Sequence, residues 1–177
     1  RVGVKERRVC TTETATDMGV AAAQRALEDA GVKPEELDLI IGASISADTI
    51  SPGLAGMVQN RIGATCPCFD MNVACPGFLF ALDVAAGFFA RGRVKKVLVV
   101  SSERMSGLID WADRSTCVIF GDGAGAAVLG EGDKYLSSVL TTKGGEDVIS
   151  IPTKWDNSPF YENPLKKNVV NMQGQET

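Results

Sequence analysis

One residue stands out as able to do covalent chemistry. Cys75 follows Asn72-Val73-Ala74 at the end of an expected strand and precedes Pro76-Gly77-Phe78, the start of an apolar helix. Proline suits the first turn of a helix because its missing N–H would be unpaired there anyway. A thiol at a helix N-terminus faces free amides and the positive end of the helix dipole, which favour a thiolate. The same amides can donate to an oxyanion once an acyl group is attached. The competing reading is a buried structural cysteine, since free cysteine packs well. Cys10, Cys66, Cys68 and Cys117 lack the helix-start context, and Cys66-Pro67-Cys68 reads as packing or loop. Five scattered cysteines without a CxxC pair speak against a disulfide framework or a zinc site and fit a reducing cytosol. Histidine is absent, so no Ser-His or Cys-His dyad exists within these 177 residues.

The run Phe120-Gly121-Asp122-Gly123-Ala124-Gly125 resembles a phosphate cradle only superficially. A dinucleotide fingerprint needs a following helix, and here a strand is expected; there is no Walker lysine either. It reads as a tight hairpin turn between strands at 115–120 and 124–129. Arg91, Arg93, Lys95 and Lys96 read as a solvated helix end. Arg1, Lys5, Arg7 and Arg8 could form a phosphate-binding mouth. Asp70, Asp83 and Asp122 make no carboxylate pair suited to acid/base work, and Phe78, Phe80, Phe88 and Phe89 read as core.

The elements that must position Cys75 follow from periodicity. A Thr/Asp cluster at 13–17 starts a helix, apolar residues recur at helical spacing over 18–30, and Gly31 stops it. Residues 38–44 and 94–101 are near-continuous apolar runs, as in strands covered on both faces. A helix is expected over 52–62, a short strand over 69–73 and a long apolar helix over 75–90. Further strands are expected at 135–142 and 148–152, completing the sheet; from Lys154 the chain reads as loop. Strands alternating with helices predict an α/β protein, a mixed sheet covered by helices on both faces.

Composition narrows the partners. The 18 basic and 22 acidic side chains leave a net charge of -4, which argues against a nucleic-acid binder. No apolar run approaches the length of a membrane span, and no signal-peptide pattern opens the chain, so a cytoplasmic protein is expected. The first helix has no strand before it, the chain opens at Arg1, and it stops in a polar stretch; it reads as a piece of something longer.

Several separated motifs together resemble one family. Gly3-Val4-Lys5-Glu6-Arg7-Arg8 is similar to the GIxERR segment of β-ketoacyl-acyl carrier protein synthase III, the initiating condensing enzyme of bacterial fatty-acid synthesis. Asp70-Met71-Asn72-Val73-Ala74-Cys75-Pro76-Gly77-Phe78 resembles its D-x-N-x-A-C-x-G-F. Asp113-Arg114-Ser115-Thr116, residues 120–129 and Met172-Gln173-Gly174-Gln175-Glu176 match in order.

The resemblance implies a thiolase-like fold, with residues 1–177 as the N-terminal one of two similar halves, lacking its opening strand, and a homodimer. It implies that Cys75 takes an acyl group from acyl-coenzyme A, a substrate rather than a cofactor, and condenses it with malonyl-acyl carrier protein. Arg1 and Arg114 match positions that hold the nucleotide end of coenzyme A. Ile119 and Phe120 match the acyl-pocket wall, Gly174 a backbone contact near the substrate, and Ser51 lies near the loop reaching the partner subunit. The family's catalytic His and Asn, supplied by the second half, and its adenine-stacking tryptophan are missing, and Pro76 replaces a small residue. A thiolase-fold acyltransferase or condensing enzyme of secondary metabolism is the alternative within the fold. A catalytically incomplete binding module is the non-enzymatic one. No metal or nucleic acid is implied.

Overall fold

The computed structural model describes residues 3–145, 147–152 and 169–173. Its centre is a four-stranded sheet in the order β2-β1-β3-β4. The strands are β1 (Leu39–Ala43), β2 (Cys68–Met71), β3 (Lys96–Arg104) and β4 (Asp122–Gly130). β1 runs parallel to β2 and β3, while β4 pairs antiparallel to β3 along nine residues. The expected mixed sheet is present.

Alternation along β1 and β3 sends side chains to two cores. Ile40, Leu98 and Val100 face one side, where α1 (Ala15–Ala30) and α2 (Leu54–Ile62) supply Val20, Leu27 and Val58. Leu39, Ile41, Val97 and Val99 face the other, against Ala81 and Ala85 of α3 (Gly77–Ala90). Burying each such Ile, Leu or Val contributes about 1.5–3 kcal/mol relative to exposure. Both sheet faces are therefore covered by helices.

Local chemistry fixes the helix ends. Thr14 caps α1 in a capping box with Asp17, and Asp48 accepts hydrogen bonds from the Ala15 and Thr16 amides at 3.0 and 2.9 Å. Gly31 and Gly63 close α1 and α2 in the left-handed conformation, as their sequence positions predict.

Four expectations are corrected. Residues 115–120 form a turn instead of a strand, because the Asp113 carboxylate accepts from the Ser115 amide and hydroxyl and from the Thr116 hydroxyl. The Gly121–Gly123 hairpin consequently does not form; β4 starts at Asp122 and pairs with β3. Residues 135–142 form no strand, and Tyr135 and Ser138 instead donate their hydroxyls to Asp83 of α3. The expected strand at 148–152 shrinks to β5 (Ile149–Ser150), which pairs with β6 (Asn171–Met172) in a separate two-stranded sheet.

Candidate active site

Cys75 lies beyond the C-terminal end of β2, where ligands bind in open α/β sheets. After Met71 the chain turns through Ala74, which has φ +48°, the left-handed region that costs a side-chain-bearing residue about 1–3 kcal/mol. Strain of this kind persists where the surroundings enforce it, and here it sits next to the candidate nucleophile. The turn closes with the Gly77 amide donating to the Ala74 carbonyl at 3.1 Å. Pro76 is the cap residue of α3 rather than its first helical residue, so the helix begins two residues later than the sequence predicts. Gly77 is buried, and a Cβ there would meet the Ala43 Cβ at 3.0 Å; glycine lets α3 start directly against the end of β1. Cys75 itself is exposed, and all five cysteines are free thiols.

Asp70, five residues before Cys75, braces this junction from behind. It pairs in register with Gly42 of β1, and its carboxylate fills space that a Cβ on Gly42 or Gly53 would need. It accepts from the Ala55 amide at the start of α2 at 3.0 and 3.2 Å. Burial pushes the carboxyl above its ordinary range, against the opposing pull of the Ala55 and Leu54 amides.

A cavity of about 490 Å³ opens beside Cys75. Its wall includes Ile45, Asn72, Met105, Leu108 and Phe120, and Met105 belongs to an apolar cluster with Ile109, Cys117 and Val170. Phe120 therefore faces the cavity that Cys75 faces. Ile119 is half-buried beside it and is not among the lining residues. The Phe120 carbonyl accepts from Arg7 Nε at 3.4 Å, and the Cys117 carbonyl accepts from Arg7 Nη2. Gly121 allows this, since a Cβ there would meet the Arg8 carbonyl oxygen at 2.9 Å. Arg114 is exposed on the Asp113 turn. Arg1 and Gly174 lie outside the described residues. Sequence reasoning missed Ile45, Asn72 and Met105 as wall residues; only Asn72 carried a signal, its closeness to Cys75 in the motif.

Asp122 organises the far side. Burial raises its carboxyl, but the Ser106 hydroxyl and amide and the Cys10 amide outweigh this, leaving it below its ordinary value. Among the described residues, no group of three or more His, Cys, Asp or Glu is arranged to hold a metal ion. No helix there is long and apolar enough to cross a membrane.

The chain that carries this turn and cavity is similar to known proteins over nearly its whole length. A family model described as 3-oxoacyl-[acyl-carrier-protein (ACP)] synthase III matches residues 69–147. The chain is 45% identical over 181 residues to the β-ketoacyl-[acyl-carrier-protein] synthase III of Clostridium acetobutylicum, covering 99% of the chain and 56% of that protein. It is 48% identical over 187 residues to the enzyme of the same name from Natranaerobius thermophilus, covering 99% and 57%. The crystal structure of 3-oxoacyl-[acyl-carrier-protein] synthase III from Aquifex aeolicus superposes with a TM-score of 0.85 at 38% identity, covering 98% of this chain and 54% of that one. The priming β-ketosynthase of the R1128 polyketide biosynthetic pathway superposes with a TM-score of 0.87 at 37% identity, covering 99% and 54%.

The fold is the thiolase-like fold of these synthases. In sequence the chain is similar over nearly its whole length to the β-ketoacyl-acyl carrier protein synthases III. The chain spans about half the length of the curated relatives it matches.

Proposed function

We propose that the chain is the N-terminal half of an initiating condensing enzyme of fatty-acid synthesis, in which Cys75 carries the acyl group. The observation that carries this is Cys75 itself, exposed on a strained turn at the start of α3 and opening onto an apolar cavity of about 490 Å³. Cys75 Sγ attacks the carbonyl carbon of acyl-coenzyme A. The bond to the coenzyme sulfur breaks, and coenzyme A leaves as its thiol, taking up the proton that Cys75 loses. First-turn amides of α3 beyond that of Gly77, which the Ala74 carbonyl holds, favour the developing oxyanion. Loss of carbon dioxide from malonyl-acyl carrier protein then leaves an electron pair on the α-carbon. That carbon attacks the carbonyl carbon of the Cys75 thioester, the bond to Sγ breaks, and the departing thiolate takes a proton from solvent to restore the thiol. Splitting the reaction in this way is covalent catalysis.

These 177 residues contain no histidine. The histidine that stabilises the enolate therefore comes from elsewhere in the enzyme, and the family resemblance assigns it, with an Asn, to the second half. Arg114, with Arg1, serves the nucleotide end of coenzyme A, whose phosphates need cations; Gly174 contacts substrate through its backbone. No cofactor is required, since decarboxylation itself supplies the carbanion. The family resemblance implies that the full-length enzyme is a homodimer. Five free thiols suit the cytoplasm.

The decisive assay supplies the full-length enzyme with acyl-coenzyme A and malonyl-acyl carrier protein. The expected product is β-ketoacyl-acyl carrier protein with release of carbon dioxide, lost in Cys75→Ser. The likeness to the R1128 priming ketosynthase favours a second reading, a condensing enzyme or acyltransferase of secondary metabolism. Transfer to a hydroxyl or amine acceptor, without condensation, would select it.

A further inference from the structure

The register between β1 and β3 ends at Ala43 and Ser101, so the chain leaving β1 has no further ladder partner. One side chain takes over. Glu103, two residues further along β3, accepts from the Ile45 amide through Oε1 at 3.0 Å. Its Oε2 accepts from the Ser46 amide at 3.1 Å and the Ser44 hydroxyl at 3.4 Å, and the Ser46 hydroxyl donates to it at close range. Ser46 Oγ in turn accepts from the Arg104 amide at 2.7 Å, tying the loop to β3 a second time. A carboxylate is all acceptor, and the loop offers it only donors. The outcome is that Ile45 is held as a wall of the Cys75 cavity, in one apolar cluster with Met105 and Phe120.

We propose that Glu103 is a positioning residue that sets the acyl-chain preference of the cavity at Cys75 by fixing Ile45 against it. This deepens the acyl-transfer function proposed above and rests on it. Glu103→Gln keeps the shape but turns an NH₂ toward loop donors, so Ile45 is released and the cavity gains room for longer chains.

The experiment measures alkylation of Cys75 in the full-length enzyme by iodoacetamides bearing methyl, butyl or octyl chains, read at the Cys75 peptide by mass spectrometry. Acylation by acyl-coenzyme A of matching lengths is followed in parallel. Glu103→Gln is expected to raise the long-to-short ratio about tenfold while short-chain labelling stays within about twofold. Ile45→Ala shifts the ratio in the same direction, and the double variant goes no further than either single one. Ser46→Ala, which removes one donor to Glu103 and the acceptor for the Arg104 amide while the Ile45 and Ser46 amides stay bonded, gives a shift of the same sign and serves if Glu103→Gln does not fold. An unchanged ratio, an equal fall at every chain length, or additive shifts in the double variant would overturn the proposal. If Cys75 is alkylated but accepts no acyl group from any acyl-coenzyme A, acyl transfer is contradicted, and the alkyl ratios still decide the role of Glu103.

Discussion

Ala74 links backbone strain to chemistry at the scale of a single residue. Its φ of +48° is open to alanine at a cost and closed to β-branched side chains. Ala74→Val should therefore displace the turn and slow Cys75 acylation by an order of magnitude or more, whereas Ala74→Gly should retain it. Comparing the two acylation rates, with circular dichroism to confirm folding, checks this. Cys75 itself was legible from its neighbours, because Asn72 to Phe78 spells out a strand end, a turn and a helix start. The strain at Ala74 was not, since nothing in the letters around an alanine demands a positive φ. Ile45 and Glu103 were equally hidden, because their contact spans 58 residues of sequence.

Among the elements, the junctions carry the most information. Gly42 is glycine because Asp70 crosses over it to reach the start of α2. Gly42→Ala would push the carboxylate off the Ala55 amide and is expected to cost about 1–3 kcal/mol of stability, measured by urea denaturation. The cap of α1 makes stability depend on pH. The Thr14 amide, then Arg61, hold Asp17 down to about 2. Its unfolded value lies near ~3.9, so its contribution is complete above that pH and is lost as the pH falls toward 2. Asp17→Asn should lower the urea midpoint by a constant amount above pH ~4, and the gap to the parent should close as the pH approaches 2. A gap that persists at the acid end would contradict this assignment. Elements with their own caps or continuous apolar runs, namely α1, α2, β1 and β3, could be read directly from the sequence. The turn at 115–120 could not, because β-branched and aromatic residues there advertise a strand while the Asp113 side chain captures the local donors first. Residues 135–142 failed for another reason: alternation alone cannot supply a neighbouring strand.

At the scale of the whole molecule, α3 is the element with unmet needs. It is apolar nearly all round, yet the sheet covers only the Ala81 and Ala85 side, and Leu79 is 61% exposed one turn from Cys75. A helix apolar on every side belongs in an interior. A polypeptide of these 177 residues should bind a hydrophobic dye such as anilinonaphthalene sulfonate, and Leu79→Lys should weaken that binding. The same substitution in a full-length enzyme should be markedly destabilising; a neutral outcome in both would show that this face needs no cover. The central claim, that Cys75 is the acyl-bearing nucleophile, is tested most directly by intact-protein and peptide mass spectrometry after incubation with acyl-coenzyme A. A single acyl group on the Cys75 peptide, removed by hydroxylamine and absent in Cys75→Ser, is the predicted result. No adduct on the parent enzyme, or an adduct that survives Cys75→Ser, would contradict it.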